Sequence, residues 1–148
     1  MRPDASRARS EALLIASYRA VVGRDLTTDI GGSLYDAPGV VLMHGTQADP
    51  VFCYANRTAQ RLWGYAWDEF IRLPSRLSAE PEAREDRERL LARAREKGFI
   101  DDYSGIRIAK DGSRFRIADV VLWNVAVDGE RHGQAAVFRR WDPFPSGS

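Results

Sequence analysis

The stretch Phe115-Arg-Ile-Ala-Asp-Val-Val-Leu-Trp-Asn-Val-Ala-Val127 is rich in β-branched and aromatic residues and reads as one long strand. Successive side chains of a strand point to opposite sides. Phe115, Ile117, Asp119, Val121 and Trp123 are therefore expected on one face, and Arg116, Ala118, Val120, Leu122 and Asn124 on the other. Both sets contain large apolar residues, so the sheet holding this strand needs a cover on each side. The central helices are expected on one side, and an N-terminal helix or a partner chain on the other.

Further strands are expected at Gly39–Met43, Val51–Tyr54, Tyr103–Ile108 and His132–Trp141, with turns at Lys110-Asp-Gly112 and Asp128-Gly129. Between the second and third strands the pattern turns helical. Asn56 is a good N-cap, Ala59, Leu62 and Trp63 recur at helical spacing, and Gly64 supplies the stop. A short helix follows near Trp67-Asp-Glu-Phe70, and a charged one over 82–97 ends at Gly98. Leu14, Tyr18, Val21 and Val22 give a first helix, about Ser6 to Val22, its apolar stripe. Residues 23–37 read as a connector. The order predicts an α+β fold, a five-stranded antiparallel sheet with helices packed on one face and an N-terminal helix. The expected division is an N-terminal helical cap over 1–22, a single domain over 23–141 and a disordered tail over 142–148.

A chain of 148 residues is long enough to bury roughly 70% of its unfolded surface without a metal or disulfide staple. Basic and acidic side chains number 22 and 21, so no net field draws the chain to nucleic acid. No apolar run approaches the ~20 residues of a membrane span, and no signal-peptide core is present at the N-terminus. A cytoplasmic location is expected. Cys53 is the sole cysteine and is read as an inert thiol.

The segments His44-Gly-Thr-Gln-Ala-Asp-Pro50, Tyr54-Ala-Asn-Arg-Thr-Ala59, Leu73-Pro-Ser-Arg-Leu-Ser-Ala-Glu-Pro81, Tyr103-Ser-Gly-Ile-Arg-Ile108, Arg114-Phe115, Val121-Leu-Trp-Asn124 and Gly133-Gln-Ala-Ala136, in this order, resemble the MEKHLA domain. The resemblance runs from about residue 9 to 141. It implies a PAS-like fold of the stand-alone bacterial type, and a sensing or ligand-binding role. The cofactors familiar in PAS domains fare poorly against the residues. A flavin photoadduct needs a cysteine within about 66–79, where there is none, and a haem ligand is expected on the helix over 82–97, which has no histidine. A non-covalent flavin or other small molecule is left open, supported by Trp63, Trp67 and Trp123 as stacking surfaces.

Eight residues are candidates for ligand contact: Arg76, Tyr103, Arg107, Trp123, Tyr54, Trp63, His44 and Gln134. Arg76 offers a two-pronged clamp for a carboxylate or phosphate, or else pairs with Asp49 or Glu80 to hold its loop. Tyr103 and Arg107 share a strand face and, if joined by Trp123, make a polar and aromatic wall suited to a small anionic or aromatic ligand. His44 either orders its own turn or meets His132 at the strand ends, and two histidines alone do not make a metal site. The leading expectation is a sensory module that binds a small molecule or a partner signalling protein and acts as a homodimer or by a conformational shift. The alternative is a small cytoplasmic enzyme or biosynthetic accessory protein, which would gather His44 or Asp101 with Arg107 or Arg76 around one pocket.

Overall fold

The computed structural model describes residues 3–80 and 84–144. Helix α1 (Pro3–Ser17) runs into a π-helical turn (Tyr18–Val22) that stops at Gly23, and α2 (Leu26–Ile30) follows at once. Then come β1 (Val40–His44), β2 (Phe52–Ala55), α3 (Arg57–Trp63), α4 (Trp67–Phe70), a 3₁₀ turn (Ser75–Ser78) and α5 (Arg84–Lys97). Strands β3 (Phe99–Ile108), β4 (Arg114–Val127), β5 (Glu130–Phe138) and β6 (Arg140–Pro143) close the chain. The sheet is antiparallel in the order β2-β1-β5-β4-β3, and β6 lies beside the first part of β4.

The local chemistry explains most boundaries. Asn56 accepts the Ala59 N–H and starts α3, and Gly64, at φ 84°, ends it by donating to the Gln60 carbonyl. Asp25 starts α2 by accepting the Thr27 N–H, so the expected connector over 23–37 contains a capped helix and a 3₁₀ turn. Asp128 and Gly129, at φ 53° and 79°, form the tight turn whose twist suits a hairpin. At Gly133 the chain passes so close to the His44 carbonyl that no side chain fits, which lets β5 pair with β1.

Two apolar layers cover the sheet. The inner layer joins α3, α4 and Ala94 of α5 to Val40, Leu42, Phe52, Ile100, Tyr103, Phe115, Ile117, Val120 and Phe138. The outer layer joins Leu14, Tyr18, Leu26 and Ile30 to Val41, Met43, Tyr54, Val121, Trp123, Val125, Ala135 and Val137. The N-terminal helix thus supplies the second cover that the apolar strand required. One expectation is corrected here: Phe115 and Ile117 do not share a face with Val121 and Trp123. Asp119 sits at φ 54° and the alternation slips, so Val120 stays with Ile117 while Val121 and Trp123 turn outward. The slip falls where β4 changes neighbour, from β6 at 115–118 to β5 at 121–127. Opposite it the last strand breaks at Arg139, giving six strands instead of five, and β6 occupies part of the segment expected as tail. Residues 145–148, also in that segment, lie outside the described residues, as do 82 and 83 at the expected start of α5.

Polar bonds fasten the outer layer. The Trp123 indole donates to Ser17 Oγ at 2.9 Å, the Tyr54 hydroxyl donates to Glu11 at 2.6 Å, and the Tyr18 hydroxyl donates to Asp29. Burial, joined by the bond to Asp29, pushes the Tyr18 phenol up to about 12, and burial followed by Glu11 pushes Tyr54 well above its usual range. Phenols of the unfolded chain ionise near pH 10. These raised values contribute stability that is complete below that point and is lost as the pH climbs towards about 12. Urea midpoints are expected to fall across this window, and Tyr54→Phe to flatten the fall. Equal slopes for the two proteins would show that Tyr54 is not held protonated.

Candidate functional site

Tyr103, Gly105 and Arg107 follow one another at every second position on β3, an edge strand of the sheet. Tyr103 belongs to the inner layer and is almost fully buried. The Arg107 guanidinium lies 5.5 Å from the centre of its ring and reaches the Tyr103 hydroxyl at 3.4 Å and the Ile106 carbonyl at 3.1 Å. Glycine between them is a steric requirement. A side-chain carbon at Gly105 would stand 2.6 Å from the Tyr103 oxygen and 3.1 Å from Arg107 Nη1. Phenol and guanidinium therefore converge over the Gly105 backbone and fill the space a side chain would take.

A strap crosses beside this pair. Ala79 pairs with Arg107 in an isolated bridge, and Glu80 binds Arg114 at 2.7 Å. The preceding carbonyl, Ser78, accepts the Trp63 indole N–H at 3.2 Å, while Ser78 Oγ donates to the Ser75 carbonyl. Arg107 is half-buried, and among the described residues no carboxylate lies within ion-pair distance of it.

The other candidates are distributed differently. Trp63 is fully buried in the inner layer, edge-on to Phe70, Phe115 and Phe138. Trp123 and Tyr54 lie in the outer layer, so the sheet separates them from Tyr103 and Arg107. Trp123 turned outward because of the slip at Asp119. Arg76 directs Nε to both oxygens of Asp49 at 3.2 Å and holds its loop, as one of its two readings expected. His44 donates from Nδ1 to the Gly45 carbonyl and stands opposite Gln134, which in turn pairs with Asn124. That polar row is at the far end of β4 from Arg107, nine positions on at about 3.3 Å each. Asp102 is taken by Arg93 at 2.7 Å. His44, Asp101, Arg76 and Arg107 are thus not gathered around one pocket. Among the described residues, no cluster of three or more His, Cys, Asp or Glu could hold a metal ion, and no helix is long and apolar enough to cross a membrane.

Gly105 and Arg114 were not among the candidates from the sequence, and Glu80 was expected only as an alternative partner of Arg76, where the structure pairs it with Arg114. The spacing Tyr-x-Gly-x-Arg on a strand was the available signal for Gly105. The Glu80–Arg114 pair joins segments far apart in the chain and had none.

This geometry, an antiparallel sheet with short helices and one longer helix crossing its inner face, is the PAS fold. A PAS domain from Colwellia psychrerythraea superposes with a TM-score of 0.60 at 13% identity, covering 81% of this chain and 98% of that one. A fungal LOV domain photoreceptor gives 0.57 at 16% identity, covering 84% and 86%. The light-state dimer of the fungal blue-light photoreceptor Vivid gives 0.56 at 14%, covering 81% and 89%. The family model of the MEKHLA domain matches residues 8–143, and the chain belongs to that family. Comparison with curated proteins finds no match.

Proposed function

We propose that this chain is a sensory module that binds a small molecule at the Tyr103–Arg107 notch and reports occupancy through its N-terminal helical layer, by a shift of that layer or by association with a second copy or a signalling partner. The observation that carries this reading is the half-buried guanidinium of Arg107, stacked on Tyr103 without a carboxylate partner among the described residues. A guanidinium has five N–H donors, and a partly desolvated one gains from an external acceptor. Ligand binding switches the module only to the extent that one arrangement binds more tightly than the other. The outer layer is suited to respond because Tyr18 and Ser17 rest directly on Trp123 of β4, the strand that also forms the inner wall through Phe115.

The reading makes no use of a covalent flavin. Cys53 packs against the outer layer, across the sheet from the notch, and burial pushes its thiol up to about 11, away from the reactive thiolate. A sensory role also accords with neighbours described as photoreceptors and with one described as a dimer.

Native mass spectrometry of freshly purified protein tests the proposal, since it reports a retained small molecule and the number of subunits together. The expected result is a co-purified mass, or a subunit count that changes when metabolites are added. An empty chain whose state stays the same across a metabolite screen overturns it.

A further inference from the structure

Resting on that reading, we infer that the ligand of the Tyr103–Arg107 notch is a small organic carboxylate carrying a single negative charge. The guanidinium sets the sign. Arg107 spends Nη1 on the Ile106 carbonyl and Nη2 on a long contact with the Tyr103 hydroxyl, which leaves donors for a two-oxygen acceptor. Among the described residues the carboxylate beside it, Glu80, does not compete, because it is paired with Arg114 at 2.7 Å.

The same pair limits the charge. Arg114 is the cation that could turn the notch into a site for a doubly charged phosphate, and Glu80 neutralises it. Lys110 is likewise bound to Glu69 at 2.6 Å. One guanidinium with no carboxylate partner among the described residues matches one carboxylate. The surroundings favour an organic body over an inorganic ion: the Tyr103 ring lies beside the guanidinium, and Phe115 stands directly across the strands from Arg107. Gly105 has no side chain of its own, and the Tyr103 hydroxyl and Arg107 Nη1 close over it.

Benzoate and its neutral counterpart benzamide differ in the charged group and little else, and calorimetric titration of each into the full chain tests the assignment. Wild-type protein is expected to bind benzoate at least about tenfold more tightly than benzamide. Arg107→Gln should abolish that preference. Arg107→Lys, which keeps the charge and loses the planar fork, should retain only part of it. Thermal unfolding of each variant is recorded alongside, and if Arg107→Gln does not fold, the reduced preference of Arg107→Lys decides the matter. Equal affinity of wild-type protein for the two probes overturns the carboxylate assignment and leaves the small-molecule reading intact. A benzoate preference that survives both substitutions overturns the role of Arg107. Failure of both probes to bind overturns the assignment, while a mass retained in native spectrometry would still support the broader reading.

Discussion

Asn56→Asp is expected to cost about 3–5 kcal/mol of stability at neutral pH, among the largest effects of any single isosteric change in this chain. Asn56 is fully buried and uses both ends of its amide. Its oxygen accepts the N–H groups of Val41 at 3.3 Å and Ala59 at 3.1 Å, and its nitrogen donates to the carbonyls of Leu34 at 2.9 Å and Gly39 at 2.8 Å. One side chain thus ties β1, the 3₁₀ turn before it and the start of α3 together. Aspartate keeps the shape and replaces the donor by an oxygen facing two carbonyl oxygens. The buried carboxyl would then hold its proton to higher pH than in the unfolded chain. Its penalty is therefore smallest below about pH 4 and grows as the pH rises, the sign expected of a raised folded-state pKa. Urea unfolding at several pH values checks both statements, and a loss under about 1 kcal/mol would show that the four bonds are not formed together.

Trp63→Ala is expected to cost a similar amount, about 3–5 kcal/mol, for a different physical reason. The indole is fully buried, with ring centres of Phe115, Phe70 and Phe138 at 5.0, 5.8 and 6.3 Å, all steeply inclined to it. Truncation removes those contacts, opens a cavity that three rings from three different elements cannot fill by small shifts, and leaves the Ser78 carbonyl without its donor. For a chain of this size the loss corresponds to a fall in midpoint of roughly 10 °C. Trp63→Phe should cost less, because it restores most of the volume and forfeits only the indole N–H. If alanine and phenylalanine prove equally mild, the inner layer is packed more loosely than these distances imply. The alanine variant also frees the Ser78–Glu80 strap, so in the titrations described above it should weaken benzoate binding without changing the preference over benzamide.

Elements defined by neighbours in the chain were legible in the sequence. The cap at Asn56, the stop at Gly64, the Asp128-Gly129 turn and the need for two covers on the long strand all rest on short-range stereochemistry or on period-two patterning. What failed to show has long-range or conformational causes. The left-handed backbone at Asp119 has no distinctive residue signature, since aspartate also occupies ordinary strand positions. Without it, Trp123 is placed on the wrong face by simple alternation. The break at Arg139 is coupled to the same slip and was equally hidden. In the candidate site, Tyr103 and Arg107 could be paired by parity because the register shift between Tyr103 and Gly105 places its extra residue on β4 and leaves the alternation of β3 intact, whereas Tyr54 required knowledge that Glu11 lies over the outer face.

Asp119 also determines how this sheet can change over evolutionary time. A strand read two residues at a time behaves like a text with a reading frame, and the slip at Asp119 is a built-in frame shift. Deleting Asp119 would restore strict alternation and leave Phe115, Ile117 and Val120 in the inner layer and Val121, Trp123 and Val125 in the outer one, whereas losing a neighbouring residue while the slip persists would carry one half of the strand into the opposite layer. Asparagine or glycine at this exposed left-handed position, or the removal of Asp119 itself, is comparatively mild in prospect, while insertions and deletions elsewhere in the strand are not. The phase of the two halves of β4, more than the length of the strand, is what the two layers hold fixed.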